Sequence, residues 1–128
     1  MIVDCAYYLD GHRSDVGPMS LQEAAARCEQ GGGFVWLGLF EPDEAELAQV
    51  RDIFGLHELA VEDAQNLHMR PKIERYDADV QLVILRTARY NDAAEEVEFG
   101  EISVFLSPRF VIAVRQGVAS DQIGRAHV

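Results

Sequence analysis

The residues best able to do chemistry lie between two histidines, His57 and His68, within the stretch FGLHELAVEDAQNLHMRPKIERY from Phe54 to Tyr76. Glu58, Glu62 and Asp63 stand between the two imidazoles, so nitrogen and oxygen ligands share one short segment. Catalytic zinc needs a stricter spacing. In an HExxH helix a second histidine follows one turn after the first, and Val61 occupies that position here. Acyl and thiol chemistry fare no better: the serines lack a nucleophile-elbow context, and neither Cys5 nor Cys28 has a histidine nearby in sequence. A metal-dependent hydrolase built on His57, His68 and the acids lacks its motifs, and the chain reads as a non-enzyme.

The same stretch holds the main concentration of positive charge, Arg70, Lys72 and Arg75. With Glu62, Asp63, Glu74 and Asp77 beside them, the simplest outcome is surface ion pairs, each worth about 0–1 kcal/mol. An anion site is the weaker alternative. One carboxylate is out of place. On a helical wheel Leu56, Leu59, Ala60, Ala64 and Leu67 make an apolar stripe opposite Glu58, Glu62 and Gln65, and Asp63 falls inside the stripe. An ionised group there is costly unless it is capped, paired or bound. Two outcomes stay open: Asp63 caps a short turn after a helix break, or it serves an interface or an ion.

Several elements must position these residues. Ile2 to Leu9 alternates as a strand near a sheet edge, and Gly11 to Pro18 reads as a loop. Ser20 and Glu23 make a capping-box pattern before a helix whose core face is Leu21, Ala24, Ala25 and Cys28. Gly31, Gly32 and Gly33 end it and suit a flexible exit; without the Lys and Ser/Thr partners they are not a phosphate loop. Phe34 to Phe40, bounded by glycine and Pro42, suits a central strand covered on both faces, with Trp36 in packing. Asp43 and Glu46 cap a second helix with Leu47, Val50 and Phe54 on its buried side and Gly55 as its stop. The acids Glu41, Asp43, Glu44 and Glu46 at its start suit the helix dipole better than a metal.

Pro71 forbids continuation of the helix that carries Asp63. Tyr76 to Tyr90 then alternates as one long strand, and Asn91 to Glu96 is an acidic loop. Phe99 to Leu106 and Phe110 to Val114 form a hairpin across Ser107-Pro108-Arg109. Residues 116–128 begin a further helix pattern with no stop signal, which reads as a chain cut within its next helix. The expected fold is α+β, an α/β sandwich with a mixed, largely antiparallel sheet and helices packed on it, as one domain over residues 1–115.

Composition bounds the function classes. There are 128 residues, enough for one core, with 48% hydrophobic residues and a mean hydropathy of -0.07. The 22 acidic against 11 basic residues give a net charge of -11 and a pI near 4.6. Nucleic acid needs a basic face and is not a suitable partner; cations or a basic surface are. Solvation of the exterior is the plain alternative. Two distant cysteines suggest neither zinc nor a redox dithiol and point to a reducing, cytoplasmic setting. No apolar run approaches the ~20 residues of a membrane span, so the chain as it stands reads as soluble.

The string Val61, Glu62, Asp63, Asn66, His68, Arg70, Pro71, Lys72 and Tyr76, between FVWLGLFEPDEAELAQVRDIFGLH and the EISVFLSPRFVIAVRQG hairpin, resembles the N-terminal cytosolic domain of CorA-type magnesium transport proteins. The resemblance covers Trp36 to Val114 well and the first strand and helix loosely. It implies a homopentameric channel whose soluble domains form a cytosolic funnel on the cytoplasmic side of the membrane, joined by stalk helices to two membrane spans. It further implies a transported ion that is Mg²⁺, or Co²⁺ or Zn²⁺ in its place, and a Mg²⁺ ion, with Co²⁺ as the alternative, bound weakly between neighbouring domains that keeps the channel closed. Asp63 matches the funnel-domain ligand and Glu62 is a weaker neighbour; the partner carboxylate and the Gly-Met-Asn pore signature belong to parts of the family outside these residues. By itself the chain is expected to be a monomer or weak oligomer with little Mg²⁺ affinity. The rival reading is a freestanding α/β protein-interaction module with no transport role.

Overall fold

The computed structural model describes residues 1–14, 19–66, 70–77 and 79–121. The strands are β1 (Ile2–Leu9), β2 (His12–Arg13), β3 (Gly33–Phe40), β4 (Lys72–Asp77), β5 (Val80–Asn91), β6 (Glu96–Leu106) and β7 (Phe110–Asp121). The helices are α1 (Leu21–Gln30), α2 (Glu44–Phe54) and α3 (Glu58–Gln65). One sheet holds every described strand in the order β2-β1-β3-β7-β6-β5-β4, with β3–β7 parallel and the other pairs antiparallel. The expected α+β class and mixed, largely antiparallel sheet are those of the chain.

Side-chain alternation gives the sheet two unlike faces. Cys5 and Tyr7, Val35, Leu37 and Leu39, Leu82 and Ile84, Phe105, and Phe110, Ile112 and Val114 share one face and are buried beneath the helices. Each fully buried Leu, Ile or Phe among them contributes about 1.5–3 kcal/mol. Leu21, Ala24 and Cys28 of α1, Leu47 and Val50 of α2, and Ala60, Val61 and Ala64 of α3 close that core from above. The opposite face is only partly covered. Trp36, Phe40, Leu85 and Leu106 remain exposed there, so β3 is central but not covered on both faces, and Trp36 is not a core residue.

The capping signals act as the sequence implies. The Ser20 hydroxyl accepts from the Glu23 N–H at 3.1 Å, and Asp43 accepts from Glu46 N–H at 2.8 Å while Glu46 accepts from Asp43 N–H at 3.3 Å. Gly55 ends α2 at φ 68. The glycine run is a shaped turn, not a loose exit: Gly31 and Gly32 take φ 77 and 88. A Cβ on Gly33 would collide with the Tyr8 carbonyl oxygen and the Tyr7 ring.

Three further expectations need correction. The Gly11–Pro18 loop contains β2, which pairs with β1 through Tyr8↔Arg13 and Leu9↔His12. The single strand expected from Tyr76 to Tyr90 is a hairpin, since β4 begins at Lys72 and β5 at Val80. The sequence Asp77-Ala78-Asp79 is poor in strand formers, and a period-two reading carried through it without a glycine or proline to stop it. Residues 116–121 continue β7 instead of starting a helix, because β6 offers them a full antiparallel partner up to Val97↔Asp121. Residues 122–128 lie outside the described residues.

Candidate functional site

α3 begins at His57, whose Nδ1 accepts the Leu59 N–H at 3.1 Å as an N-cap. The histidine offered in sequence as a ligand is thus engaged with backbone, and its ring lies 5.6 Å from that of Tyr76. His68 lies outside the described residues. The buried side of α3 keeps Ala60 and Ala64 of the stripe expected from the wheel, with Leu56 just ahead of the helix also buried, and takes Val61 in place of Leu59. Leu59 is 59% exposed, and Leu67 lies outside the described residues. The helix is rolled so that Leu59 and Asp63, one turn apart, share the margin facing β4.

β4 is the edge strand below that margin. Its pairing sets Lys72 opposite Ile84 and Glu74 opposite Leu82, so Lys72, Glu74 and Tyr76 fall on the helix-side face where the apolar cover runs out. Ile73 points to the other side and is 70% exposed. The same alternation sends Arg75 away from Lys72, into a different hollow with Asp79 and Gln81. The basic cluster of the sequence is therefore divided between two faces.

Asp63 meets β4 directly. The Lys72 ammonium pairs with Asp63 Oδ2, and the Tyr76 hydroxyl lies 2.8 Å from that same oxygen. Lys72 also reaches Glu74 Oε1 at 2.9 Å, and the Tyr76 hydroxyl lies 2.8 Å from Glu74 Oε2. One hydroxyl proton serves one acceptor at a time, so the ammonium supplies the positive charge that lets two carboxylates share this phenol. Asp63 is 19% exposed and Lys72 30%. Charge in the apolar stripe is resolved by pairing across elements; residues 67–69, which the capping alternative requires, lie outside the described residues.

The electrostatics follow from these contacts. Burial, then the bonds to Glu74 and Asp63, hold the Tyr76 phenol well above its usual value. The bond to Asp63 raises Lys72, against a smaller opposing effect of desolvation. Lys72 first, and Tyr76 second, hold the Glu74 carboxyl below its usual range.

Above the cluster lies an open hollow of about 400 Å³ lined by Leu59, Glu62, Asp63, Asn66, Lys72, Glu74 and Tyr76. Its potential ligands are carboxylate and amide oxygens, the hard donors that suit Mg²⁺. Glu62 and Asp63, the two expected metal residues, thus share one hollow. Among the described residues no group of three or more His, Cys, Asp or Glu side chains is arranged to hold a metal ion. Lys72, Glu74 and Tyr76 were foreseen only as a charge patch and a motif tyrosine; the parity of 72, 74 and 76 was the signal that joins them.

Sheet and hollow define a mixed-sheet α+β domain with hard oxygen donors at one edge. Residues 31–122 match the family model described as CorA-like Mg²⁺ transporter protein, and the chain belongs to that family. It is 32% identical over 77 residues to YfjQ of Bacillus subtilis (strain 168), provisionally named a metal ion transporter, covering 60% of this chain and 23% of that protein. It is 27% identical over 84 residues to the cobalt/magnesium transport protein CorA of Thermotoga maritima, covering 65% of this chain and 24% of the relative. The fold is that of full-length CmaX (TM-score 0.61, 24% identity, 91% of this chain and 35% of that one). It is also that of the CorA magnesium transporter from Methanocaldococcus jannaschii (TM-score 0.58, 14% identity, 99% and 36%). The chain thus spans about a quarter of the curated relatives' length. No described helix is long and apolar enough to cross a membrane.

Proposed function

We propose that this domain is the regulatory, cation-sensing part of a CorA-like Mg²⁺/Co²⁺ transport protein on the cytoplasmic side of the membrane. Asp63 contributes one carboxylate to a divalent-cation site between neighbouring copies of a homopentamer, and Glu62 is its weaker neighbour. The observation that carries this reading is the position of Asp63, at the rim of an open, oxygen-lined hollow instead of sealed in the core.

Mg²⁺ prefers oxygen ligands and keeps several waters, so a site shared between copies is weak and reversible, as a sensor of cell Mg²⁺ requires. Tyr76 orients the Asp63 carboxylate from below, and Glu62 on the exposed side adds negative charge to the approach. Copies carrying a net charge of -11 repel one another, so loss of the ion loosens the interface and biases a two-state gate.

The test is Asp63→Ala in the full-length protein, with flux into proteoliposomes followed against internal Mg²⁺. Closure should need more Mg²⁺ than in the parent; an unchanged inhibition curve removes the assignment. For the chain by itself, sedimentation should report a monomer or weak oligomer, and a stable Mg²⁺-independent pentamer would contradict that expectation.

A further inference from the structure

The charge of Asp63 is already answered within its own chain. The Lys72 ammonium sits on Oδ2, and it has a second acceptor, Glu74 Oε1, 2.9 Å away on the more exposed side. We infer that Lys72 is a tethered counter-cation that competes with a divalent ion for Asp63, and that Glu74 is the berth to which its ammonium withdraws when the ion binds. The inference rests on the cation-binding role proposed for Asp63 and adds the residue that sets its threshold.

An ammonium and a divalent ion on one carboxylate oxygen repel each other at contact distance, so one must leave. Lys72 can leave without backbone movement. Its flexible four-carbon stem carries a compact charge, and both acceptors already lie within its reach. β4 fixes the stem, while Glu74, two residues along the same face, keeps the displaced charge paired. The Tyr76 hydroxyl, within reach of both carboxylates, stays in place and supports whichever one the ammonium has left.

The competition has a direction. Affinity at Asp63 is reduced by the fraction of time the ammonium holds it, in the same way that a partly populated binding-competent state weakens any ligand. A monovalent ion gains little by replacing an ammonium of equal charge, whereas a divalent ion gains a full charge. Lys72 thus makes the site both weak and selective for charge.

The experiment titrates the 128-residue chain with Mn²⁺, whose paramagnetic broadening of amide signals reads weak binding and its location. Parent, Lys72→Met, Lys72→Arg and Asp63→Asn are compared, with amide signals away from α3 and β4 reporting the fold; Lys72→Gln replaces Lys72→Met should the latter not fold. Broadening in the parent should centre on Asp63. Lys72→Met should bind about three- to fivefold more tightly, the upper part of the range open to a partly exposed ion pair, while Lys72→Arg stays within about twofold of the parent. Equal or weaker binding in Lys72→Met, with broadening still centred on Asp63, overturns the competition and leaves the cation-binding role intact. Broadening that never centres on Asp63, or that survives Asp63→Asn unchanged, overturns that role and the competition with it.

Discussion

At the start of α2, Asp43 and Glu46 close a box on their own backbone at 2.8 and 3.3 Å, whereas Asp63 in α3 reaches across to Lys72 and Tyr76 of β4. Both regions are acidic and both belong to short helices. In the first, the carboxylates answer N–H groups that the helix itself leaves orphaned, so these partners lie within one turn, and Glu46 has a further one, the Met1 ammonium at 3.0 Å. In the second, the partners are brought in by a different element. An acidic cluster is therefore structural when its own backbone consumes it, and open to a ligand when only movable side chains do.

The strongest way to break this comparison is to remove each carboxylate in turn. Asp63→Ala leaves Lys72 and Tyr76 without a shared acceptor and should cost the folded chain about 1–2 kcal/mol, read as a lower urea midpoint. A neutral result would mark Asp63 as kept for a ligand and not for stability. Asp43→Ala should cost about 1 kcal/mol by the same measurement. Locality separates the two further: a peptide spanning residues 42–56 should lose helicity by circular dichroism on Asp43→Ala, while one spanning 57–66 should not respond to Asp63→Ala.

Alkaline pH probes the second region. Tyr76 is raised above 10.0 and Lys72 above 10.5 by the folded state. Each holds its proton more tightly when folded, so their stabilisation is complete below those values and declines as pH rises through the higher folded ones. Thermal stability should therefore fall beyond pH 10.0, and Tyr76→Phe should blunt that decline. The reverse sign applies to Glu74, depressed below 4.5: its contribution is present above that value and lost as pH falls through the folded one, and Lys72→Met should reduce this acid sensitivity. The smallest expected effect is Glu44→Gln at the start of α2, a loss of about 0.3–1 kcal/mol from the helix dipole that shrinks in added salt.

Much of this architecture was written in short-range chemistry. Ser20, Asp43 and Gly55 mark helix ends because capping oxygens and a left-handed glycine act within one turn, and all three do so in the structure. The β6–β7 hairpin was equally legible from Ser107-Pro108-Arg109 between two β-rich runs. The reversal between Tyr76 and Val80 was not, since no Gly-rich or Asn-Gly pair announces it.

What the residues determined by themselves was the family string from Val61 to Tyr76, the acidic balance and the exceptional position of Asp63 on its helix. What only the tertiary structure decided was the company Asp63 keeps. The roll of α3 follows from which side chains the core accepts, and Val61 entered it where the wheel had placed Leu59. The side chains of Lys72 and Tyr76 reach Asp63, and Glu74 reaches both of them, because β4 pairs with β5 in one register and not the next. A shift of one residue would have turned Ile73 and Arg75 towards the helix instead.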